Sequence, residues 1–256
     1  MQANKPYGGV LVKAVRILDY LSQTQSPQSM TNIAVECQLT MSTTNKILDT
    51  LEILGFVRKN MGDKTYALGP RLLQLANAAF IQFDLLRESY PILYRLFQKV
   101  DATVNMGMLQ EKSVLYVNKF TPAVNRHVTQ SRIGFREDLY CSAMGKALLA
   151  AQEDDYIEGY LENSHLEKRT DYTIIQPEII RRQIAIARRN GYATDNREAE
   201  DNIFCIGTTM GDSQALSRYA FSISIPYDQL TTKRFEALIG ELQKAKAVIE
   251  YQLTEI

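Results

Sequence analysis

The 256-residue chain contains no tryptophan, two histidines and three cysteines, and its 29 basic side chains are balanced by 29 acidic ones. Each shortage excludes something. A formal net charge of zero removes overall charge as an argument for a nucleic-acid or membrane partner. Cys37, Cys141 and Cys205 form no CxxC pair and stand in apolar-rich segments, which fits reduced thiols in a cytoplasmic protein. His127 and His165 have no carboxylate or cysteine at a spacing that would make a triad or a metal site, so neither a metal nor a cofactor is expected. No apolar run approaches the roughly 20 residues of a membrane span, and no signal peptide opens the chain. GxSxG, the phosphate-loop pattern and GxGxxG are absent, and Gly211-Asp212-Ser213 lacks the second glycine of the first. An enzyme is therefore not expected.

What is present is a helical rhythm at the N-terminus, where residues 1–75 carry a net charge of +3 against −3 in the remainder. A chain this long makes one or two domains of roughly 100 to 200 residues. Ala14, Ile17, Leu18 and Leu21 recur at i, i+3, i+4, i+7 and predict a helix over about 12–22. The polar stretch 23–29, with Pro27 inside it, breaks that helix. Met30, Ile33, Ala34 and Cys37 repeat the spacing, and 38–40 leaves room only for a tight turn. From Ser42, an N-cap type, the stripe Thr44, Ile47, Leu48, Leu51 predicts a third helix ending at Gly55. Residues 56–59 and 64–68 then read as strands around Asn60-Met61-Gly62-Asp63, a hairpin that carries Arg58, Lys59 and Lys64. This is a winged helix-turn-helix over 1–70. A helix crossing the major groove needs short polar side chains at its start, with cations and hydroxyls beside it for phosphates. Ser42, Thr43, Thr44, Asn45 and Lys46, together with the three wing cations, are the candidate DNA contacts.

Several separated motifs run in one order: Val12 to Leu18, Met41 to Leu51, Tyr66-Ala67-Leu68-Gly69-Pro70-Arg71, Ala143 to Ala150, Gly191-Tyr192 past Asp195 and Glu198 to Cys205-Ile206, and Ser222-Ile223-Ser224. Through them the chain resembles the IclR family of bacterial regulators over nearly its whole length. The resemblance implies a ligand-responsive transcriptional regulator with a linking helix and a GAF-like α/β effector domain. It also implies a small organic acid or related metabolite as effector, and homodimers or homotetramers on palindromic double-stranded operators. Tyr140 stands where a histidine is common in the family, Asn202 where glycine is usual, and Gly207 to Asp212 where a more apolar strand is found.

Read on its own, the remainder predicts an α+β domain with an antiparallel sheet. Pro70 opens a linker helix over 71–82 with the stripe Leu72, Leu75, Ala76, Ala79, and Ile92, Leu93, Leu96, Phe97 and Val100 follow Pro91 as a second helix. The effector domain is expected over 83–256. Strands are predicted at Val104 to Met108, Val114 to Phe120, His127 to Arg132, Tyr192 to Asp195, Phe204 to Thr208 and Tyr219 to Ile225. Helices are predicted at 143–152, 176–190 and 231–253. The resemblance puts Ala143, Met144, Asp195, Glu198, Ile203, Cys205, Ser222 and Ser224 at an effector pocket. Ala143 and Met144 lie at a helix start, whose free N–H groups attract anions, and Ser222 and Ser224, two apart on a strand, share one face. Asp195 and Glu198 would accept hydrogen bonds, and would repel a carboxylate unless one is protonated or a ligand hydroxyl intervenes. Three alternatives stay open: the serines and Cys205 simply face the core, the chain binds DNA without an effector, or, last in order, it is a small-molecule enzyme with a helix-turn-helix domain.

Overall fold

The computed structural model describes residues 7–24, 26–81, 84–123, 129–211 and 217–253. The chain divides into two compact units, Met1–Phe83 and Asp84–Ile256.

The first unit holds helices α1 (Gly9–Gln23), α2 (Met30–Glu36), α3 (Met41–Ile53) and α4 (Arg71–Ile81), with strands β1 (Gln28–Ser29), β2 (Val57–Lys59) and β3 (Thr65–Leu68). The helical stripes become its core: Ile17, Leu21, Ile33, Cys37, Ile47, Leu48 and Leu51 pack together with Val57 and Tyr66 of the hairpin. Helix α3 begins one residue before Ser42. Its cap is Thr40, whose Oγ1 accepts from the Thr43 N–H at 3.3 Å, because Ser42 already lies inside the first turn. The sheet is antiparallel in the order β1-β3-β2; β1, two residues long and too short to show alternation, falls in the expected loop. Past the hairpin, a Cβ on Gly69 would stand 2.3 Å from the Gly55 carbonyl oxygen, so the chain passes the end of α3 only as glycine. Helix α4 forms as expected, yet Leu73, Leu75, Ala76 and Ala79 on it are exposed.

The second unit is a mixed α/β domain built on one six-stranded antiparallel sheet in the order β6-β5-β4-β9-β8-β7. The strands are β4 (Thr103–Gln110), β5 (Ser113–Phe120), β6 (Arg136–Asp138), β7 (Ala193–Asn196), β8 (Ile203–Met210) and β9 (Tyr219–Pro226). The helices are α5 (Asp84–Val100), α6 (Ala143–Ala150), α7 (Asp154–Asn163), α8 (Pro177–Asn190) and α9 (Thr232–Leu253). Pro91 does not open a helix. It lies inside α5, because the buried stripe already starts at Leu86 and continues through Leu93, Leu96 and Val100. Of the strand expected at His127 to Arg132, residues 127–128 lie outside the described residues and 129–132 are not strand; the edge of the sheet is β6 instead. Helix α8 stops at Gly191, whose φ of 74° suits a left-handed cap.

Alternation along the strands gives the sheet two unlike faces. Val104, Met106, Phe204, Ile206, Phe221, Ile223 and Ile225 are large and buried, on the side packed by α5 and α9. The intervening positions are small or polar: Asn105 pairs with Ser222, Gly207 with Ser222, and Cys205 with both Ser224 and Asp195. Helix α6 packs over that side. At Gly207 a Cβ would lie 2.7 Å from the Ala143 carbonyl carbon and the Met144 nitrogen. The start of α6 therefore rests directly on strand β8, and the glycine read from sequence as a departure is what lets it do so. Asp212 lies outside the described residues.

Candidate functional site

The exposed start of α3 is one candidate surface. Ser42, Asn45 and Lys46 are exposed and Thr43 is half-buried with its hydroxyl 2.9 Å from that of Thr40. Asn45 donates to Asp49 at 2.9 Å, which orients its amide before any DNA is met. Thr44 corrects the sequence reading: it is fully buried, and its hydroxyl donates to the Thr40 carbonyl at 3.0 Å. Its place in the Ile47, Leu48, Leu51 stripe decides this, so it supports the helix from inside and presents nothing to a groove. On the hairpin, Arg58 and Lys64 are exposed, whereas Lys59 is half-buried with its ammonium 5.3 Å from the Tyr66 ring centroid.

The second candidate is a cavity between the polar side of the sheet and the start of α6. Ala143, Met144, Asp195, Ile203, Cys205, Ser222 and Ser224 line it, joined by residues that sequence reasoning missed, among them Asn105, Tyr116, Ser131, Glu137 and Glu200. Its volume is about 20 Å³, room for a water molecule or so. The floor is a connected polar network. Asn105 Nδ2 donates to Ser224 Oγ at 3.1 Å and Ser222 Oγ at 3.5 Å, and Cys205 Sγ lies 3.1 Å from Ser224 Oγ. Ser131 donates to Asn105 Oδ1 at 3.2 Å and lies 2.7 Å from Thr129 Oγ1, to which Lys119 Nζ donates at 2.7 Å. At the roof, Ser142 caps α6 by accepting from Gly145 N at 3.1 Å. The N–H groups of Ala143 and Met144, in the first turn, have no partner within the helix.

Glu198 is not in the lining, contrary to expectation. It is buried behind it, where its Oε1 accepts from Lys146 Nζ at 2.5 Å, and Lys146 also donates to Gln183 at 3.2 Å. The two side chains are 1% and 3% exposed, so a single lysine within the wholly buried run Ala143 to Leu149 demands an acid, and Glu198 supplies it. That lysine inside an apolar run was the available signal. Asp195 accepts from Glu198 N at 2.6 Å and Ala199 N at 3.3 Å, closing the turn after β7. Burial pushes its carboxyl up to about 7, with Lys146 opposing and Glu198 adding to the rise. Burial likewise raises Glu137 to about 7, reinforced by Asp138 and Asp195. Tyr140 stays outside the cavity, its hydroxyl donating to the Glu167 carbonyl at 2.6 Å. The left-handed residue after β7 is Arg197 (φ 65°), and its guanidinium lies 3.5 and 4.0 Å from the Tyr172 and Tyr227 ring centroids.

Among the described residues no group of His, Cys, Asp and Glu could hold a metal ion, and no helix is long and apolar enough to cross a membrane. A helix-turn-helix with a small wing, in one chain with an α/β domain enclosing a polar cavity, is the architecture of a DNA-binding transcriptional regulator. The family model of the IclR helix-turn-helix domain matches residues 10–60, and that of the bacterial transcriptional regulator IclR C-terminal domain matches residues 77–251. The chain belongs to the IclR family. It is 28% identical to the HTH-type transcriptional regulator KdgR of Escherichia coli over 243 residues, 95% of this chain and 92% of that protein. The crystal structure of the Thermotoga maritima IclR superposes with a TM-score of 0.79 at 27% identity, covering 96% of this chain and 98% of that one. An IclR homolog from Microbacterium hydrocarbonoxydans, crystallised with 4-hydroxybenzoate, shares the fold with a TM-score of 0.86 at 23% identity, over 96% of this chain and 100% of that one.

Proposed function

We propose that this regulator is ligand-responsive: residues 1–70 read a palindromic double-stranded operator, 71–82 link, and 83–256 sense a small organic acid or related metabolite in the cavity beneath α6. The protein acts in the cytoplasm, without cofactor or catalysis, as a homodimer or homotetramer. One observation carries the sensing: α6 starts over Asp195, Cys205, Ser222 and Ser224, so first-turn N–H donors and side-chain acceptors converge on a single cavity. That cavity, at about 20 Å³, is too small for an organic acid. An occupant must therefore move the walls, and a ligand that fits only a widened domain has the differential affinity that shifting a conformational equilibrium requires.

A second copy of the chain is supported by the first unit. Val10, Leu11, Val15 and Leu54 are exposed along an apolar groove of about 570 Å³ between α1 and α3, larger than single scattered apolar residues would make. Sedimentation of the full chain at micromolar concentration tests this, and a monomer would count against it. Operator reading is tested by selecting duplexes from a random-sequence pool. Recovery of an inverted repeat with half-sites about one helical turn apart is expected; no enrichment would reject the reading.

A further inference from the structure

Three carboxylates, Glu137, Asp195 and Glu200, line the cavity, and among the described residues no lysine or arginine does so. The cations closest to them have other tasks. Arg169 is held by Asp138 at 2.6 Å, Lys146 by Glu198, and Lys119 by Thr129 and the Ser131 carbonyl at 2.5 Å. Among the described residues these carboxylates accept few protein donors. Glu200 accepts from the Gln130 N–H at 3.0 and 3.1 Å, and Asp195 uses Oδ1 for its turn. Donors stand in the same cavity: the first-turn N–H groups of α6 above the sheet, and on the sheet face that also carries Asp195 the Ser222 hydroxyl, which takes only a long bond from Asn105 at 3.5 Å. Apolar lining is confined to Tyr116, Met144, Ile203 and two alanines.

A ligand for such a site must both donate and accept. A plain alkanoate has no donor for the carboxylates and adds a further acid group beside them. An alkylammonium satisfies the carboxylates and leaves the helix start and Ser222 without an acceptor. A flat aromatic ring finds few apolar partners in this lining. Hydroxyl oxygens donate and accept at once, and several along a short carbon chain meet both the carboxylates and the donors.

Resting on the reading that this cavity is the sensory site, we propose that its ligand is a polyhydroxylated small molecule of the sugar type, whose hydroxyls donate to Glu137, Asp195 and Glu200 while another oxygen accepts from the start of α6. Sugar acids and neutral alditols share this chemistry.

Calorimetric titration of the full chain at pH 7.5 distinguishes them. The probes are five- and six-carbon aldonates, the matching alditols, the alkanoates of equal length, 6-aminohexanoate and 4-hydroxybenzoate. At least one polyhydroxylated probe should bind ten or more times as tightly as its alkanoate, and Glu137→Gln should weaken it about tenfold. Glu200→Gln repeats the test should that variant fail to give a cooperative unfolding curve. The proposal is overturned if no polyhydroxylated probe binds, if an alkanoate, the amine or the benzoate binds as tightly as any of them, or if both glutamine variants bind like the parent. Tight, variant-sensitive binding that leaves operator affinity unchanged would uphold the ligand class and reject the sensory reading instead.

Discussion

Thr44 and Lys46 are two positions apart on α3 and face opposite ways, one into the core and one into solvent. If the exposed side of this helix meets DNA, Lys46→Ala and Asn45→Ala should each weaken operator binding by about 1 to 3 kcal/mol where the contact is to a base edge, with little change in melting temperature. Thr44→Ala should do the reverse, lowering stability by about 1 to 2 kcal/mol because it removes a buried methyl and a hydrogen bond. Operator titration and thermal unfolding of the three variants check this, and equal affinities throughout would remove α3 from the interface. In the second unit, Lys146→Met strands Glu198 in the interior and should destabilise by roughly 3 to 5 kcal/mol. Asp195 and Glu137, both raised to about 7, bind protons in the folded state that the unfolded chain releases near pH 4. Their contribution to stability is thus full below about pH 4 and is lost as pH rises to 7. Asp195→Asn with Glu137→Gln should flatten that part of the pH–stability curve; an unaltered slope between pH 4 and 7 would show that these groups are not perturbed.

At the scale of elements, the hairpin and the start of α6 each make a claim. Arg58 and Lys64 project freely from the wing. Replacing both by glutamine should reduce the slope of log K against log salt by about 2, roughly 0.9 for each phosphate that is no longer neutralised. Lys59, drawn over Tyr66, should contribute less. Gly207→Ala should push α6 off β8 and cost about 1 to 3 kcal/mol, as overpacking does; a variant as stable as the parent would mean that the close approach is not needed. The helices of the first unit were legible because their apolar stripes are local, at period 3.6, and the wing because turn residues flank short strands. In the second unit, Ser222 and Ser224 announced a shared face through period two. Asn105 and Glu137 did not announce themselves, because they join the cavity only through strand pairings that cross the chain, Asn105 meeting Ser222 across more than a hundred residues. Glu198 misled for the same reason: its partner Lys146 lies on another element. Pro91 misled because proline usually opens a helix, whereas here the stripe begins upstream of it.

For the whole molecule the account stands on coupling between two separately folded units. A sensory ligand matters only if it favours one arrangement of the DNA-reading units over another, and linkage makes that effect reciprocal. Ser222→Ala, which removes a hydroxyl from the cavity without touching the first unit, should diminish the ligand's effect on DNA. The most direct measurement is a fluorescence-anisotropy titration of the selected operator with the full chain, with and without a saturating ligand shown by calorimetry to need Glu137. The account predicts an operator affinity that differs at least fivefold between the two titrations, with the ligand's own affinity changed by the same factor when operator is present. Superimposable titrations would contradict it.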